Sequence, residues 1–162
     1  MNTSVWFGLA LGLLLFTAIA FAVSFAVLPR LMIPERRSAH TLDETVKRLS
    51  DAALAAGWVV QSIVELEKSI AKNGGGHVRP VRLVNICHAR HAGQIMHVDS
   101  ARRVSVLMPC TISVYEKNDD SVWVGAMNPS LVAPLFRGVV ARVMGGPVAD
   151  DQQRFINAAT AP

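Results

Sequence analysis

The first feature of the polarity pattern is an apolar run from Val5 to Leu28, which contains no charged residue, histidine, asparagine or glutamine. A helix of this length rises about 36 Å, which exceeds the ~30 Å hydrocarbon thickness of a bilayer. The run also lacks the basic amino terminus and small-residue cleavage site of a signal peptide. We therefore expect residues 1–29 to form an uncleaved transmembrane anchor that ends at Pro29.

Basic residues flank this run on its carboxyl side only. Arg30, Arg36 and Arg37 follow it, and no lysine or arginine precedes it. Such an asymmetry favours a cytoplasmic location for the flank that carries the positive charge. The pattern predicts a single-pass membrane protein with its soluble part in the cytoplasm. Three arginines decide this orientation, so a periplasmic domain is the alternative.

After a mixed-charge segment at residues 30–40, which we interpret as a linker, the pattern becomes that of a folded domain. Thr41 and Glu44 have the spacing of a capping box, which satisfies backbone donors at a helix start. The helix then shows apolar residues at 4-3-4-3 spacing and is expected to end at Gly57, as a left-handed residue. These apolar residues are Leu42, Val46, Leu49, Ala53 and Ala56.

The rest of the domain alternates strand and helix patterns. Lys117–Asp120 is rich in turn-forming residues and predicts an antiparallel hairpin. Paired apolar residues after Asn128 predict one long helix that stops at Gly145. The expected strands are Trp58–Ile63, Arg82–Cys87, Cys110–Tyr115 and Val122–Ala126, with further helices at 65–73 and about 88–98.

The resulting element order is αβαβαββα. It predicts an α+β fold, in which an N-terminal transmembrane helix precedes a small domain with a four-stranded, partly antiparallel sheet packed against helices. We place the domain at residues 41–146. Residues 147–162 are expected to form a C-terminal tail that can include a short helix.

Four separated motifs in this order resemble the domain-of-unknown-function 302 family. They are Gly57-Trp-Val-Val, Ile86-Cys-His-Ala89, Leu107-Met-Pro-Cys-Thr-Ile-Ser-Val-Tyr-Glu116 and Val122-Trp-Val-Gly-Ala-Met-Asn-Pro129. The resemblance covers most of residues 41–145 and none of the apolar run. It implies a small α+β domain with a four-stranded sheet, often found as a dimer. It brings no established reaction.

All sixteen basic and twelve acidic residues follow the apolar run, so the net charge of +4 belongs to the soluble part. The excess is concentrated between Lys72 and Arg103, where Asp99 is the one acidic residue. No aromatic residue is interleaved there for base stacking, which argues against a nucleic-acid partner. A basic surface beside an anionic lipid bilayer is the better interpretation.

The candidate binding residues are Cys87, His88, His91 and Cys110. If the two cysteine-bearing strands are neighbours, their thiols and imidazoles converge at one end of the sheet. Such ligands suit a transition metal or haem, with Cys87, His88 and Cys110 as the metal ligands. The spacing matches no zinc signature, however, and cysteine is often a plain core residue.

Cys87 also suggests a thiol-dependent enzyme. It lies where a strand passes into a helix, beside His88 and Arg90, and such surroundings lower the pKa of a thiol. No acidic residue nearby in sequence orients an imidazole base, so we favour a function without catalysis. In the cytoplasm both cysteines are expected to remain thiols, whereas in the periplasm they can pair.

Three functions remain. The first is a membrane-anchored module that binds a small ligand, such as a metal or haem, through the Cys/His cluster. The second is a single-span accessory subunit of a membrane complex, or a homodimer, because Gly8-x-x-x-Gly12 lets another helix approach closely. The third is the thiol-dependent enzyme.

Overall fold

An apolar helix, α1 (Thr3–Met32), precedes the domain in the computed structural model, which describes residues 3–162. Met1 and Asn2, which the anchor prediction includes, lie outside the described residues. Leu11–Met32 has a mean hydropathy of 2.5, and none of it is buried by the rest of the chain. By length and composition this helix is a candidate for a membrane span or a signal sequence.

The prediction that α1 ends at Pro29 is wrong, because the helix continues through this proline to Met32. Proline removes one backbone donor, but its fixed φ is compatible with a helix. The Pro29 carbonyl accepts a 3.0 Å hydrogen bond from the Ile33 N–H, so the helical bonding pattern persists beyond it.

The chain folds as α+β around one antiparallel sheet of five strands, in the order β1-β5-β4-β3-β2. The expected count of four strands, partly antiparallel, is therefore wrong. The predicted hairpin is confirmed, since β4 and β5 pair antiparallel across the Lys117–Asp120 turn. The strands are β1 (Glu35–Arg37), β2 (Val59–Glu65), β3 (Val81–Cys87), β4 (Cys110–Glu116) and β5 (Val122–Ala126).

The additional strand, β1, lies within the segment that we expected to be a linker. It pairs antiparallel with β5, with Glu35 opposite Gly125 and Arg37 opposite Trp123. Its three residues are all charged and exposed, so no alternation of polar and apolar positions marks it as a strand. The pairing with β5, rather than the composition of the segment, makes these three residues a strand.

Seven α-helices accompany the sheet in the described residues. The Thr41 cap is confirmed, because its hydroxyl accepts a 3.4 Å hydrogen bond from the Glu44 N–H, and Gly57 has the expected positive φ of +80°. The helices after α1 are α2 (Leu42–Ala55), α3 (Leu66–Lys72), α4 (Ala89–Met96), α5 (Pro129–Val132), α6 (Gly138–Val143) and α7 (Ala149–Thr160).

The long helix expected after Asn128 is broken into short pieces. A 3₁₀ helix at Ala133–Phe136 separates α5 from α6, and a π-helical turn at Met144–Val148 separates α6 from α7. Pro134 cannot donate a backbone hydrogen bond, and Arg137 has a φ of 56°, which a continuous right-handed helix does not accommodate.

The segment expected to be a tail forms α7, which packs against α2. Phe155 and Ala159 of this helix are fully buried in the core. The domain therefore needs its last helix to cover one face of the sheet.

The core lies on one face of the sheet. Val84 of β3 and Ile112 of β4 are opposite each other in the strand register, and both are fully buried. Asn85 and Thr111, the next pair along, lie on the other face and hydrogen-bond to each other. A second 3₁₀ helix, at Asp99–Leu107, connects α4 to β4. This arrangement brings the end of β3, the start of β4 and α4 together.

Candidate functional site

A pocket with a cavity volume of about 30 Å³ opens to solvent where β3 ends and β4 begins. All four residues that the sequence singled out border it. The walls are otherwise mainly apolar. The lining comprises Trp58, Ile86, Cys87, His88, His91, Ala92, Ile95, Met108, Pro109, Cys110, Met144 and Val148.

The two histidines form a stacked pair at the start of α4. His88 is the N-cap residue, and its Nδ1 accepts a 3.4 Å hydrogen bond from the His91 backbone N–H. The ring centroids lie 4.1 Å apart with an interplanar angle of 31°. Because Nδ1 of His88 is an acceptor, the neutral ring carries its proton on Nε2.

Trp58, which directly precedes β2, supports this pair. Its ring lies edge-on to His88 at 5.6 Å and 6.2 Å from His91, measured between ring centroids. The indole N–H donates a 2.8 Å hydrogen bond to the buried carboxylate of Asp151, which also pairs with Arg154. The tryptophan is thereby fixed between the histidine pair and α7.

The His91 ring is in an environment that keeps it neutral. Burial lowers the pKa of His91 below its ordinary value, and the electrostatic effects of His88 and Arg90 lower it further, whereas Asp151 acts in the opposite direction. Its Nδ1 atom is buried and has no hydrogen-bond partner among residues 3–162. A buried polar atom without a partner carries a free-energy cost that a bound group can remove.

Both cysteines border this pocket, at the same end of the sheet as the histidine pair. Cys110 is opposite Ile86 in the strand register, so its side chain belongs to the core face of the sheet. Cys87 is the last residue of β3 and is half-buried. Both cysteines are free thiols. Burial, and then the proximity of Cys87, raises the pKa of Cys110 to about 11, so this thiol stays protonated near pH 7.

The chain and its fold are similar to known proteins. Residues 35–159 match the model of the family described as "Domain of unknown function DUF302". The chain belongs to the DUF302 family. Its fold is similar to the crystal structure of an uncharacterized conserved DUF302 protein from Bacillus stearothermophilus, with a TM-score of 0.70 and 14% identity, covering 80% of this chain and 98% of that one. No curated protein matches the chain.

The match to DUF302 begins at β1 and ends within α7, so it is wider than the domain at 41–146 that the sequence predicted. It includes every residue that lines the pocket. The apolar helix α1 precedes the match. At 14% identity the similarity to the Bacillus protein shows the fold alone.

The DUF302 domain does not assemble the expected metal ligands. Within residues 3–162, no group of three or more His, Cys, Asp or Glu side chains is arranged to hold a metal ion. The raised pKa of Cys110 gives a physical reason, since this thiol stays protonated near pH 7 whereas a metal binds the thiolate. The histidine pair and the apolar walls are the features that the pocket offers instead.

Trp58 and Asp151 are the site residues that sequence reasoning missed. Trp58 was assigned only to a strand, and Asp151 to the tail. One signal was present: Asp150 and Asp151 are placed where acidic residues favour a helix start. Nothing local in the sequence indicates that this helix returns to Trp58 in the DUF302 fold.

Proposed function

We propose that the protein is a membrane-anchored binding module whose pocket takes a small, mainly apolar ligand with one hydrogen-bonding group. The observation that carries this proposal is an apolar pocket bordered by His91, whose Nδ1 atom is buried and has no partner in the described part of the chain. Leaving such an atom unpaired costs about 1–3 kcal/mol. A ligand that pairs with it recovers this free energy.

The size and lining of the pocket define the class of ligand. The cavity itself is small, about 30 Å³, so a ligand occupies mainly the open mouth of the pocket and inserts only a compact group. Ile95, Met108 and Met144 supply apolar and polarisable walls that suit a compact hydrocarbon or aromatic group. The proposal therefore concerns a ligand smaller than haem, and it does not include a metal held by Cys87, His88 and Cys110.

The polar contact comes from the neutral His91 imidazole. The ring offers one donor and one acceptor nitrogen, so a hydroxyl, amide or N–H group on the ligand can pair with it. Trp58 and His88 hold the ring from two sides and limit its rotation.

Membrane anchoring is the second part of the proposal. The long apolar helix α1, with none of its Leu11–Met32 segment buried in the chain, supports a transmembrane role. Arg30, Arg36 and Arg37 follow the apolar run, which favours the cytoplasmic side for the DUF302 domain. The anchor keeps the pocket within a short distance of the bilayer, where apolar molecules concentrate.

A pocket-filling variant tests ligand binding. Ala92 lines the pocket, whereas Ala89, one turn earlier on α4, is exposed. The full chain is placed in lipid nanodiscs and titrated with indole, an apolar probe with one N–H donor, while NMR records the imidazole signals of His88 and His91. We expect saturable shifts in the wild type and Ala89→Phe, and none in Ala92→Phe.

Equal shifts in the wild type and Ala92→Phe contradict a site in this pocket, as does a wild type without saturable shifts. Denaturation of each variant checks that the fold survives. Mass spectrometry of molecules extracted from the purified wild type, compared with Ala92→Phe, identifies the natural ligand.

The accessory-subunit function remains a second candidate, because α1 has an open small-residue face. A Cβ atom added at Gly8 or Gly12 meets nothing within 4 Å, so a partner helix has room to pack there. Purification in mild detergent tests this candidate. Stoichiometric companions that are lost in Gly12→Ile and retained in Leu13→Ile favour it, and their absence from the wild type contradicts it.

A further inference from the structure

The start of α5 is bound directly to the end of α1. The Asn128 backbone N–H donates a 2.8 Å hydrogen bond to the Met32 carbonyl, and its side-chain amide donates a 3.3 Å bond to the Leu31 carbonyl. These bonds hold the segment that begins at Pro129 beside the carboxyl end of the apolar helix.

This segment exposes large apolar side chains to solvent. Leu135 is 80% exposed and Leu131 is 38% exposed. Leu131 belongs to α5, which contacts α1, and a contiguous exposed apolar surface marks a site of interaction with a membrane or a protein. The neighbouring apolar surface is the exposed helix α1, which is a candidate membrane span.

The surrounding charge is positive. Residues 127–149 contain Arg137 and Arg142 and no acidic residue. Arg137 lines a cleft together with Phe136 and Arg103, and neither of these two arginines forms an ion pair within residues 3–162. Exposed leucines flanked by arginines form the combination that anionic bilayer surfaces attract.

We propose that residues 131–135, here called the interfacial segment, enter the headgroup region of the bilayer that α1 crosses, while Arg103 and Arg137 face anionic lipid headgroups. This inference rests on the membrane anchoring of the proposed function. It adds that the DUF302 domain lies against the membrane through a defined face. The two hydrogen bonds from Asn128 set which face this is.

Photo-crosslinking of the full chain tests the contact. Benzoylphenylalanine replaces Leu135, and a control variant carries it at Ile63, which is 44% exposed on β2, the sheet edge farthest from β1. Each variant is reconstituted in vesicles of phosphatidylcholine and phosphatidylglycerol, illuminated and analysed by mass spectrometry. We expect lipid adducts at position 135 and not at position 63.

A third variant, with the crosslinker at Phe16 of α1, separates failure of this inference from failure of the anchor. Lipid adducts at position 16 without adducts at position 135 overturn the interfacial contact and leave the anchor in place. No adducts at position 16 overturn the anchor itself. Adducts from position 135 to a second copy of the chain show a protein contact instead and also overturn the inference.

A change in the charge of the lipid tests the role of the arginines. Attraction of one arginine to an anionic surface corresponds to about a fivefold change in occupancy. We therefore expect Arg103→Gln to lower the adduct yield at position 135 by about fivefold in vesicles that contain phosphatidylglycerol, with little effect in pure phosphatidylcholine. Equal yields in the two lipids for both proteins overturn the role of the arginines.

Discussion

The indole N–H of Trp58 donates a 2.8 Å hydrogen bond to Oδ2 of Asp151, which lies 93 positions along the chain. Both side chains are buried. The bond joins the chain just before β2 to the first turn of α7, and it sets the edge of the indole that faces His88 and His91. This one long-range contact therefore fixes the position of Trp58 in the pocket wall and the position of α7 at the same time.

Trp58→Phe should destabilise the domain. The phenyl ring keeps most of the apolar contact but removes the N–H donor, which leaves the Asp151 carboxylate buried with Arg154 as its remaining partner. A lost partner for a buried charged acceptor costs roughly 1–3 kcal/mol. Denaturant unfolding of the full chain in nanodiscs measures the change.

Trp123→Phe is the matched control, since the Trp123 indole N–H bonds to Ser121 in a half-buried position on the hairpin. We expect a smaller loss there, because the acceptor is an uncharged hydroxyl that keeps its hydrogen bond to Asp119. Equal losses in the two variants contradict a special role for the Trp58–Asp151 bond.

His91 should make stability decrease in mild acid. Its folded-state pKa is lower than the ordinary value of 6.5, so the unfolded chain takes up the proton first as the pH falls. The contribution is present above pH 6.5 and is lost as the pH falls below it. Unfolding measured from pH 8 to 5 tests this, with NMR titration of the ring.

His91→Phe should remove this part of the pH dependence, whereas the same change at the exposed His97 should retain it. Asp151→Asn should lower the pKa of His91 further, because the carboxylate acts to raise it. An unchanged or raised pKa in Asp151→Asn argues against this electrostatic description.

Cys110 should react slowly with alkylating agents at neutral pH. Its pKa of about 11 leaves little thiolate below pH 9, and thiolate is the reactive form. Iodoacetamide labelling followed by peptide mass spectrometry should show the Cys110 rate rising towards pH 11 in the folded chain. Denaturant should bring the rise to lower pH, and a folded rate equal to the denatured rate at pH 8 would contradict the prediction.

Truncating a core valine should be costly. Val124 of β5 is 1% exposed, and Val124→Ala leaves a cavity in packed surroundings, at roughly 1–3 kcal/mol for the lost methyl groups and the space. Val59→Ala makes the same change at an exposed position of β2 and should cost under about 0.5 kcal/mol. Denaturant unfolding compares the two variants.

The anchor should hold the full-length chain in membranes after a carbonate wash. Release into the supernatant, or a mature amino terminus near Arg30, contradicts an uncleaved span. A reporter that is active only in the periplasm, fused after Pro162, should be inactive because the flanking arginines favour the cytoplasm. Strong reporter activity overturns that orientation.

The sequence predicted the elements that are determined by residues close together in the chain. The turn at Lys117–Asp120 lies between two β-rich runs, and the Thr41 cap is complete within four residues. Strand β1 was missed because its three residues are all charged, and β5 supplies its order from far along the chain. The break at Arg137 was missed because a positive φ at a non-glycine residue has no sequence signal.

In the candidate site, too, the sequence predicted the contacts between nearby residues and not those between distant ones. His88 and His91 are three positions apart on one helix, so their meeting was predictable from helical spacing. The approach of Cys110 to Cys87 depends on the pairing of β3 with β4 and its register, which a sequence without its pairing partners does not give. Asp151 reaches the site only because α7 packs back onto α2.

The packing of α2 against α7 also has a consequence for biosynthesis. The hydroxyl of Ser38, just before α2, hydrogen-bonds to the Ala159 carbonyl, 121 positions later. At about 5–20 residues per second, a ribosome needs roughly 6–24 s to make the intervening chain. During that interval β1 first lacks its partner β5, and α2 then lacks its partner α7. The amino-terminal part of the domain therefore depends on chaperones or on its own solubility until translation is almost complete.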